Sequence, residues 1–262
     1  ERNATSYVLP DLPAEYAQGV YATPATYEAV VRYSNGLGHI RPDAYLGPAC
    51  GMGIKMIGVP GSSLLDDEAN ATTFDYNLIN NPTFFCSTVH DYTYIEPLFA
   101  ALPEVLATRD SRRTWMHDFL TNAGTLAPED WLWDELLSIL SFTSIAPKNL
   151  LSYAYWSMAA VRHGDYIAKV RTFPLTEGTH DDVDPRTEPE THRTNLVAEA
   201  NERDHRFALQ VQLSTDLETM PVDNMSVEWP EAASPFVTVA HIDIPKQDIS
   251  SDDNLRIADA TS

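Results

Sequence analysis

The feature that most constrains this chain is the placement of short β-type segments on both sides of a helical middle. Each segment is rich in β-branched or aromatic residues and is separated from the next by Pro, Gly or Asn turns. Strands that follow one another through tight turns pair antiparallel, and eight of them are enough to close a barrel without exposed edges. The segments are Ser6–Pro13, Tyr27–Ser34, Gly51–Val59, Thr73–Ile79, Leu151–Val161, Asp165–Leu175, Arg206–Ser214 and Phe236–Pro245.

The middle of the chain has helical spacing over Tyr94–Ala107, Arg112–Thr121 and Trp131–Leu140. The third helix follows Pro128 and two acidic residues, which is typical of a helix start. The sequence therefore predicts one α+β domain over residues 1–262. It combines an antiparallel eight-stranded β-barrel, a helical insertion at about 93–142 and further flanking helices. Residues 163–165 are predicted to form a hairpin turn, and the acidic stretch 176–190 a surface loop.

Composition excludes several classes of function. The formal net charge of −21 disfavours nucleic acid and anionic membrane surfaces as partners. No run of about 18 apolar residues is present, so no membrane span is predicted. Three glycosylation sequons favour a secretory route and a secreted protein, with Asn3, Asn70 and Asn224 as candidate acceptors. Two cysteines could form one disulfide, although buried free thiols are the preferred interpretation of Cys50 and Cys86.

Motifs for common chemistries are weak or absent. The run GMGIKMIG lies within a strand pattern and lacks the spacing of a dinucleotide-binding loop. The sequence contains no GxSxG, HExxH or paired CxxC motif, so neither a hydrolase elbow nor a metal site is predicted. His180 with the nearby aspartates could bind a divalent cation, but a solvated acidic loop is the preferred reading. His90 and Asp91 could be catalytic, while helix capping is favoured.

Three blocks, taken in order, resemble the catalase-like haem protein superfamily, and in particular its shorter, catalase-related branch. VVRYSNG, starting at Val30, resembles the family strand VRFS or IRFSNG. GMGIKMIGVPG, starting at Gly51, resembles RGMAIK-x-x-GVPG, and FDYNLINNPTFF, starting at Phe74, resembles QDFLLINHPVFF. Two later blocks, 164–174 and 220–245, also fit. The resemblance covers about residues 7–257 and implies a catalase-type barrel.

The resemblance also implies roles for individual residues. Arg32 would bind a haem propionate, as a guanidinium does well, and Phe85 would pack on the haem. Ser34 and Asn80 would be the catalytic residues of the distal side, with Asn80 orienting the peroxide. Gly51 and Gly53 would keep bulk away from the cofactor. The implied activity is that of a haem-dependent oxidoreductase acting on hydrogen peroxide or on organic or lipid hydroperoxides, in a chain that could form homo-oligomers.

The sequence also departs from the family pattern. Cys50 stands where the family has the arginine of RGMAIK. The distal histidine belongs to an HxKGHG-type segment that should precede Glu1, and the proximal tyrosine to an HRPLG-type segment beyond Ser262, so no iron ligand is expected in this chain. The alternative function is therefore a haem-free catalase-fold glycoprotein or binding protein without peroxide chemistry.

Overall fold

The computed structural model describes residues 3–35, 49–61, 63–101, 105, 107–180, 188, 190–252, 254 and 256. These residues form nine β-strands and four α-helices. The strands are β1 (Ala4–Val8), β2 (Thr26–Asn35), β3 (Cys50–Ile57), β4 (Thr73–Ile79), β5 (Tyr155–Ser157), β6 (Val161–His163), β7 (Tyr166–Pro174), β8 (His205–Leu213) and β9 (Val237–Ile244). The helices are α1 (Val89–Ala100), α2 (Arg109–Thr121), α3 (Trp133–Thr143) and α4 (Thr191–Glu202).

Eight of these strands close into an antiparallel barrel, which confirms the predicted fold class. The order around the sheet is β5-β4-β3-β2-β1-β9-β8-β7-β6, and β5 also pairs with β7. That second pairing joins Tyr155 to Thr172 and Trp156 to Arg171, so it closes the ring and leaves β6 as a ninth strand outside it. Closure removes the unpaired edges that an open sheet of this size would expose.

Alternation along each strand decides which side chains fill the barrel. On β3, Cys50, Met52, Ile54 and Met56 are buried in the barrel core, whereas the intervening residues point to the outer face. Every other strand of the ring also contributes buried residues to this core, and so do Leu150 and Leu151 from the turn before β5. This period-two burial is what the pleat of a half-buried strand requires.

Three helices form a second hydrophobic cluster beside the barrel. Its fully or nearly fully buried members are Phe84, Cys86, Ile95, Phe119 and Leu120. The ring of Trp115 stacks on that of Phe119, with centroids 5.2 Å apart. Because Ile79 at the end of β4 also packs into this cluster, the helical module is attached to the outer face of the barrel at that point.

Several boundaries differ from the predictions. Helix α1 begins at Val89, because Thr88 is its N-cap and forms a reciprocal capping box with Asp91. The predicted strand 151–161 divides into a 3₁₀ turn at Leu150–Ser152, then β5 and β6. The turn at 163–165 is confirmed: β6 and β7 are joined through Gly164, which has φ +61° and lies so close to Gln18 that a side chain would collide with it. Helix α4 was not predicted.

Within the residues that the structure describes, no helix is both long and apolar enough to cross a membrane.

Candidate functional site

The outer face of β2, β3 and β4 brings Arg32 and Ser34 together. Arg32 lies opposite Gly53 on β3, and Gly53 lies opposite Asn77 on β4. Both Arg32 and Ser34 are exposed on this face, while Tyr33 between them points into the barrel. Alternation therefore explains why the strand carries an arginine and a serine two positions apart: they belong to its outward-facing set.

A second row lies next to the first, toward one end of the barrel. Ser34 is opposite Gly51, Gly51 is opposite Ile79, and Ile79 is opposite Trp156 on β5. Ile79 and Trp156 are both partly buried. The two rows together, defined here as the β2–β5 outer face, combine one cation, two small polar side chains, two glycines and two apolar side chains.

The two glycines at the centre of this face have different surroundings. A Cβ atom at Gly51 would lie 2.8 Å from Ser34 Oγ, which is closer than real Cβ contacts occur. A Cβ at Gly53 would meet nothing nearer than 3.7 Å, the distance to both the Arg32 carbonyl oxygen and Asn77 Oδ1. Gly53 therefore has no local steric need to be glycine, and its missing side chain leaves space above the sheet. Glycine within a strand commonly marks a place where a ligand approaches the backbone.

Asn80 lies at the same end of the barrel but is buried and is held by the backbone of β3. Its Oδ1 accepts a hydrogen bond from Cys50 N at 2.8 Å, and its own N–H donates to Cys50 O at 3.1 Å. These two bonds extend the β3–β4 pairing by one residue beyond Ile79. The side-chain carbonyl of Asn80 thus has a structural hydrogen bond to β3. Asn80 itself lies next to the row that contains Gly51.

Phe85 lies in the helical cluster rather than on the barrel face. Its ring is 4.3 Å from that of Phe84, 5.2 Å from that of Phe99 and 6.2 Å from that of Phe142, centroid to centroid. Ile79 belongs to the same cluster. Phe85 therefore lies beside the β2–β5 outer face, at the point where Ile79 contacts the helices.

Both cysteines are buried and neither forms a disulfide, as preferred from the sequence. Cys50 belongs to the barrel core and Cys86 to the helical cluster. Burial, together with the nearby Asp91 and Glu135 carboxylates, raises the pKa of the Cys86 thiol well above its ordinary value. This thiol is therefore protonated at neutral pH and is a poor nucleophile.

The three sequons have different environments. Asn3 is engaged with the backbone of β2, donating to Val31 O at 2.9 Å and accepting from Val31 N at 2.8 Å. Asn224 accepts from Ser226 N at 3.0 Å and from Ser226 Oγ at 2.7 Å. Asn70 lies exposed in the turn before β4.

Other candidate groups have structural roles in the described part of the chain. Asp91 completes the capping box of α1, which supports the capping interpretation of His90 and Asp91. His180 Nε2 lies 2.9 Å from Glu202 Oε1, while Asp181, Asp182 and Asp184 lie outside the described residues. Among the residues described, no three His, Cys, Asp or Glu side chains are grouped in a way that could hold a metal ion.

Sequence reasoning missed Asn77, Ile79 and Trp156 as members of the β2–β5 outer face. For the first two a signal existed, because alternation along β4 places them on the outward-facing set that lies beside Gly51 and Gly53. Trp156 had no such signal, since β5 is only three residues long and its pairing depends on barrel closure.

Comparison with solved structures shows a catalase-like fold. The chain superposes on catalase A from Saccharomyces cerevisiae with a TM-score of 0.67 and 14% identity, covering 94% of this chain and 52% of that one. A fungal catalase gives 0.64 and 15%, covering 94% and 50%, and a bacterial catalase gives 0.62 and 12%, covering 94% and 46%. The chain thus spans about half the length of the catalases it matches. Comparison with models of protein families and with curated proteins finds no match.

Proposed function

We propose that this chain forms the barrel of a haem-dependent, catalase-related oxidoreductase that acts on hydrogen peroxide or an organic hydroperoxide. The observation that carries the proposal is the glycine floor of the β2–β5 outer face with Arg32 at its edge. A haem is a wide apolar disc with two carboxylate tails, so it needs a flat surface, apolar contacts and a cation at the rim. The described residues fit these requirements on one face of the barrel.

Each residue of this face has a role in the proposal. Arg32 would bind a propionate, and its planar guanidinium can donate two parallel hydrogen bonds to a carboxylate. Gly53 and Gly51 would let the macrocycle approach the sheet, with Ile79 and Trp156 as apolar contacts. Ser34 would donate a hydrogen bond to a bound peroxide, and Asn77 adds a second polar group at the same level. Phe85 would pack at the border formed by the helical cluster.

The bound haem would supply the redox chemistry, and the protein would orient the hydroperoxide and limit its access. Serine and asparagine can orient a peroxide by hydrogen bonding but are poor proton shuttles at neutral pH. Because Asn80 Oδ1 already accepts from Cys50 N, Asn80 would contribute through its position at the barrel end. Among the described residues, we propose no side chain as a ligand of the iron.

A haem-free barrel protein, secreted and glycosylated, is the second candidate. The absence of haem is favoured by the hydrogen bonds of Asn80 to the backbone of β3 and by the packing of Phe85 among the helices. Secretion and glycosylation rest on the three sequons. In that case the β2–β5 outer face would bind a small apolar ligand bearing an acid group, again through Arg32. Self-association of the chain stays a prediction.

A haem titration of the purified chain, followed by absorbance in the Soret region, separates the two candidates. We expect a saturable Soret band with one haem per chain, and weaker binding of the haem dimethyl ester, which lacks the propionate charges. Arg32→Ala should abolish the difference between haem and its ester. A chain that gives no saturable Soret change, or an Arg32→Ala variant that still prefers the free acid, would contradict the proposed site.

The floor itself is tested by Gly53→Leu. The nearest atoms to an added Cβ are 3.7 Å away, so we expect the variant to fold with an unchanged circular dichroism spectrum but to bind haem at least tenfold more weakly. Thr26→Leu is the matched control, since it adds the same apolar side chain to an exposed outer position of β2 at its opposite end. Equal haem affinity in Gly53→Leu and Thr26→Leu would place the haem elsewhere.

A further inference from the structure

Helix α4 covers the end of the barrel at which β2, β4, β7 and β9 end. Its Leu196 packs against the barrel core, and the helix contacts the turn Leu150–Ser152. The strand that follows it, β8, begins at His205 opposite Ile244, the last residue of β9. Ser34 and Gly51 lie toward this same end of the barrel. Helix α4 is therefore part of the packing that closes this end of the barrel.

A buried carboxylate on α4 holds the segment that precedes the helix. Glu199 has no exposed side-chain surface, and its Oε2 accepts three hydrogen bonds: from Thr179 N at 3.0 Å, Thr179 Oγ1 at 3.0 Å and His180 N at 2.9 Å. Asn195, also on α4, donates to His180 O at 3.2 Å. Three side chains of the helix, Glu199, Asn195 and Glu202, thus hold residues 179 and 180, the last through His180 Nε2 at 2.9 Å.

The second oxygen of Glu199 faces a buried imidazole. Glu199 Oε1 lies 3.3 Å from His205 Nε2, and the His205 side chain is 1% exposed. Within the described residues, neither ring nitrogen of His205 makes a hydrogen bond of good geometry. The charged form of a buried histidine is disfavoured by its lost hydration, and here the side chain and backbone of Glu199 replace that hydration only in part.

We propose that Glu199 and His205 form an acid-released latch that fastens residues 179–180 to α4 at neutral pH and frees them on acidification. The proposal is independent of haem binding. At neutral pH the carboxylate is charged and the imidazole neutral, and this is the combination that the geometry accommodates. A proton on His205 buries an imidazolium, and the contact with Glu199 offsets only part of its lost hydration. A proton on Glu199 removes the charge of the acceptor that Thr179 and His180 share.

The charged neighbours determine the sign of the effect. Burial lowers the pKa of His205, an effect that nearby Glu199 and Asp204 partly offset and Arg203 reinforces. The three donated hydrogen bonds, with His205, outweigh burial and lower the pKa of Glu199. The remaining ionisable groups beside the latch are Glu202 and His180, which pair with each other, and His192, buried two turns earlier on α4.

Both shifts have the same consequence. A histidine with a lowered pKa stabilises the fold fully above its ordinary pKa of 6.5, and this stabilisation is lost as the pH falls toward the pKa of the folded form. A carboxyl with a lowered pKa loses its contribution as the pH falls below its ordinary 4.5. The latch therefore opens in two stages on acidification, His205 first and Glu199 second.

Amide hydrogen exchange between pH 7.5 and 5.0, corrected for intrinsic exchange rates, tests the latch. We expect the protection factors of the Thr179 and His180 amides to fall below pH 6.5 by up to about tenfold per pH unit, the limit for one proton. The Ile54 amide in β3 should show no such trend. In His205→Gln the trend at residues 179 and 180 should disappear, whereas the control His117→Gln, an exposed histidine on α2, should retain it.

Protection that does not change with pH in the native chain, or a trend that persists in His205→Gln, would overturn the proposal. If His205→Gln does not fold, the ring resonances of His205 in the native chain serve instead. They must titrate over the pH range in which residues 179 and 180 lose protection. Titration outside that range would also overturn the proposal. Glu199→Gln should lower the protection of both amides at every pH, and unchanged protection there would also count against the latch.

Discussion

Lys169 allows a quantitative test of how the barrel tolerates a buried cation. It lies on the outer face of β7, is 3% exposed, and donates from Nζ to Val227 O at 2.7 Å, with the ring centroid of Trp229 5.3 Å away. Burial lowers its pKa from 10.5 to about 8, although nearby Glu228 acts in the opposite direction. Since one pKa unit corresponds to about 1.36 kcal/mol, the protonated side chain is disfavoured in the folded state by about 3 kcal/mol.

The sign follows from proton binding. Between pH 8 and 10.5 the unfolded chain keeps the Lys169 proton while the folded chain releases it, so the free energy of unfolding rises with pH through this window. Lys169→Met removes the titrating group and retains the length of the side chain. We therefore expect the free energy of unfolding of the native chain, minus that of Lys169→Met, to increase by about 2 to 3 kcal/mol between pH 7.5 and 10.

Urea unfolding at pH 7.5, 8.5, 9.25 and 10 measures this difference. The loss of the hydrogen bond to Val227 O, about 1 to 3 kcal/mol, is nearly constant with pH and affects only the offset. Ionisation of buried tyrosines affects both proteins alike and cancels. Lys246→Met is the control, because it makes the same substitution at an exposed position after β9. A difference for Lys169→Met that stays constant to within about 0.5 kcal/mol would refute the reasoning.

Two further predictions follow from burial and exposure. In the native chain neither Cys50 nor Cys86 should react with a thiol reagent, and both should react in urea; rapid labelling of the native chain would contradict their placement in the two hydrophobic clusters. If the chain passes through a eukaryotic secretory pathway, Asn70 should carry a glycan, because it is exposed in a turn. Intact-mass measurement of the secreted chain and of Asn70→Gln tests this, and an unchanged mass in the variant would assign any glycan to another sequon.

The barrel was predictable because its strands are separated by strong turn signals. Strand β4 was predicted with its observed bounds, since Asn80, Asn81 and Pro82 end it, and β2 and β3 differ by one or two residues at their ends. The inward and outward sets of β2 also follow from alternation alone. These features depend on local chemistry that a sequence displays directly.

The errors concern elements whose formation depends on distant partners. Helix α4 has a weak apolar pattern and no side-chain N-cap, and it is held by Leu196 in the barrel core and by the buried Glu199. Within the candidate site, Arg32 and Ser34 could be paired from the sequence, but the backbone contact of Asn80 with Cys50 and the place of Phe85 among the helices required the tertiary structure.

The neighbourhood of β4 and β5 has a consequence for how this architecture can vary. These strands are adjacent in the sheet, yet the chain between them contains α1, α2 and α3. A segment inserted between two adjacent strands can change in length or be exchanged without altering the pairing of any other strand. The three helices are thus an insertion in the barrel that can vary in sequence and length while the strands keep their register.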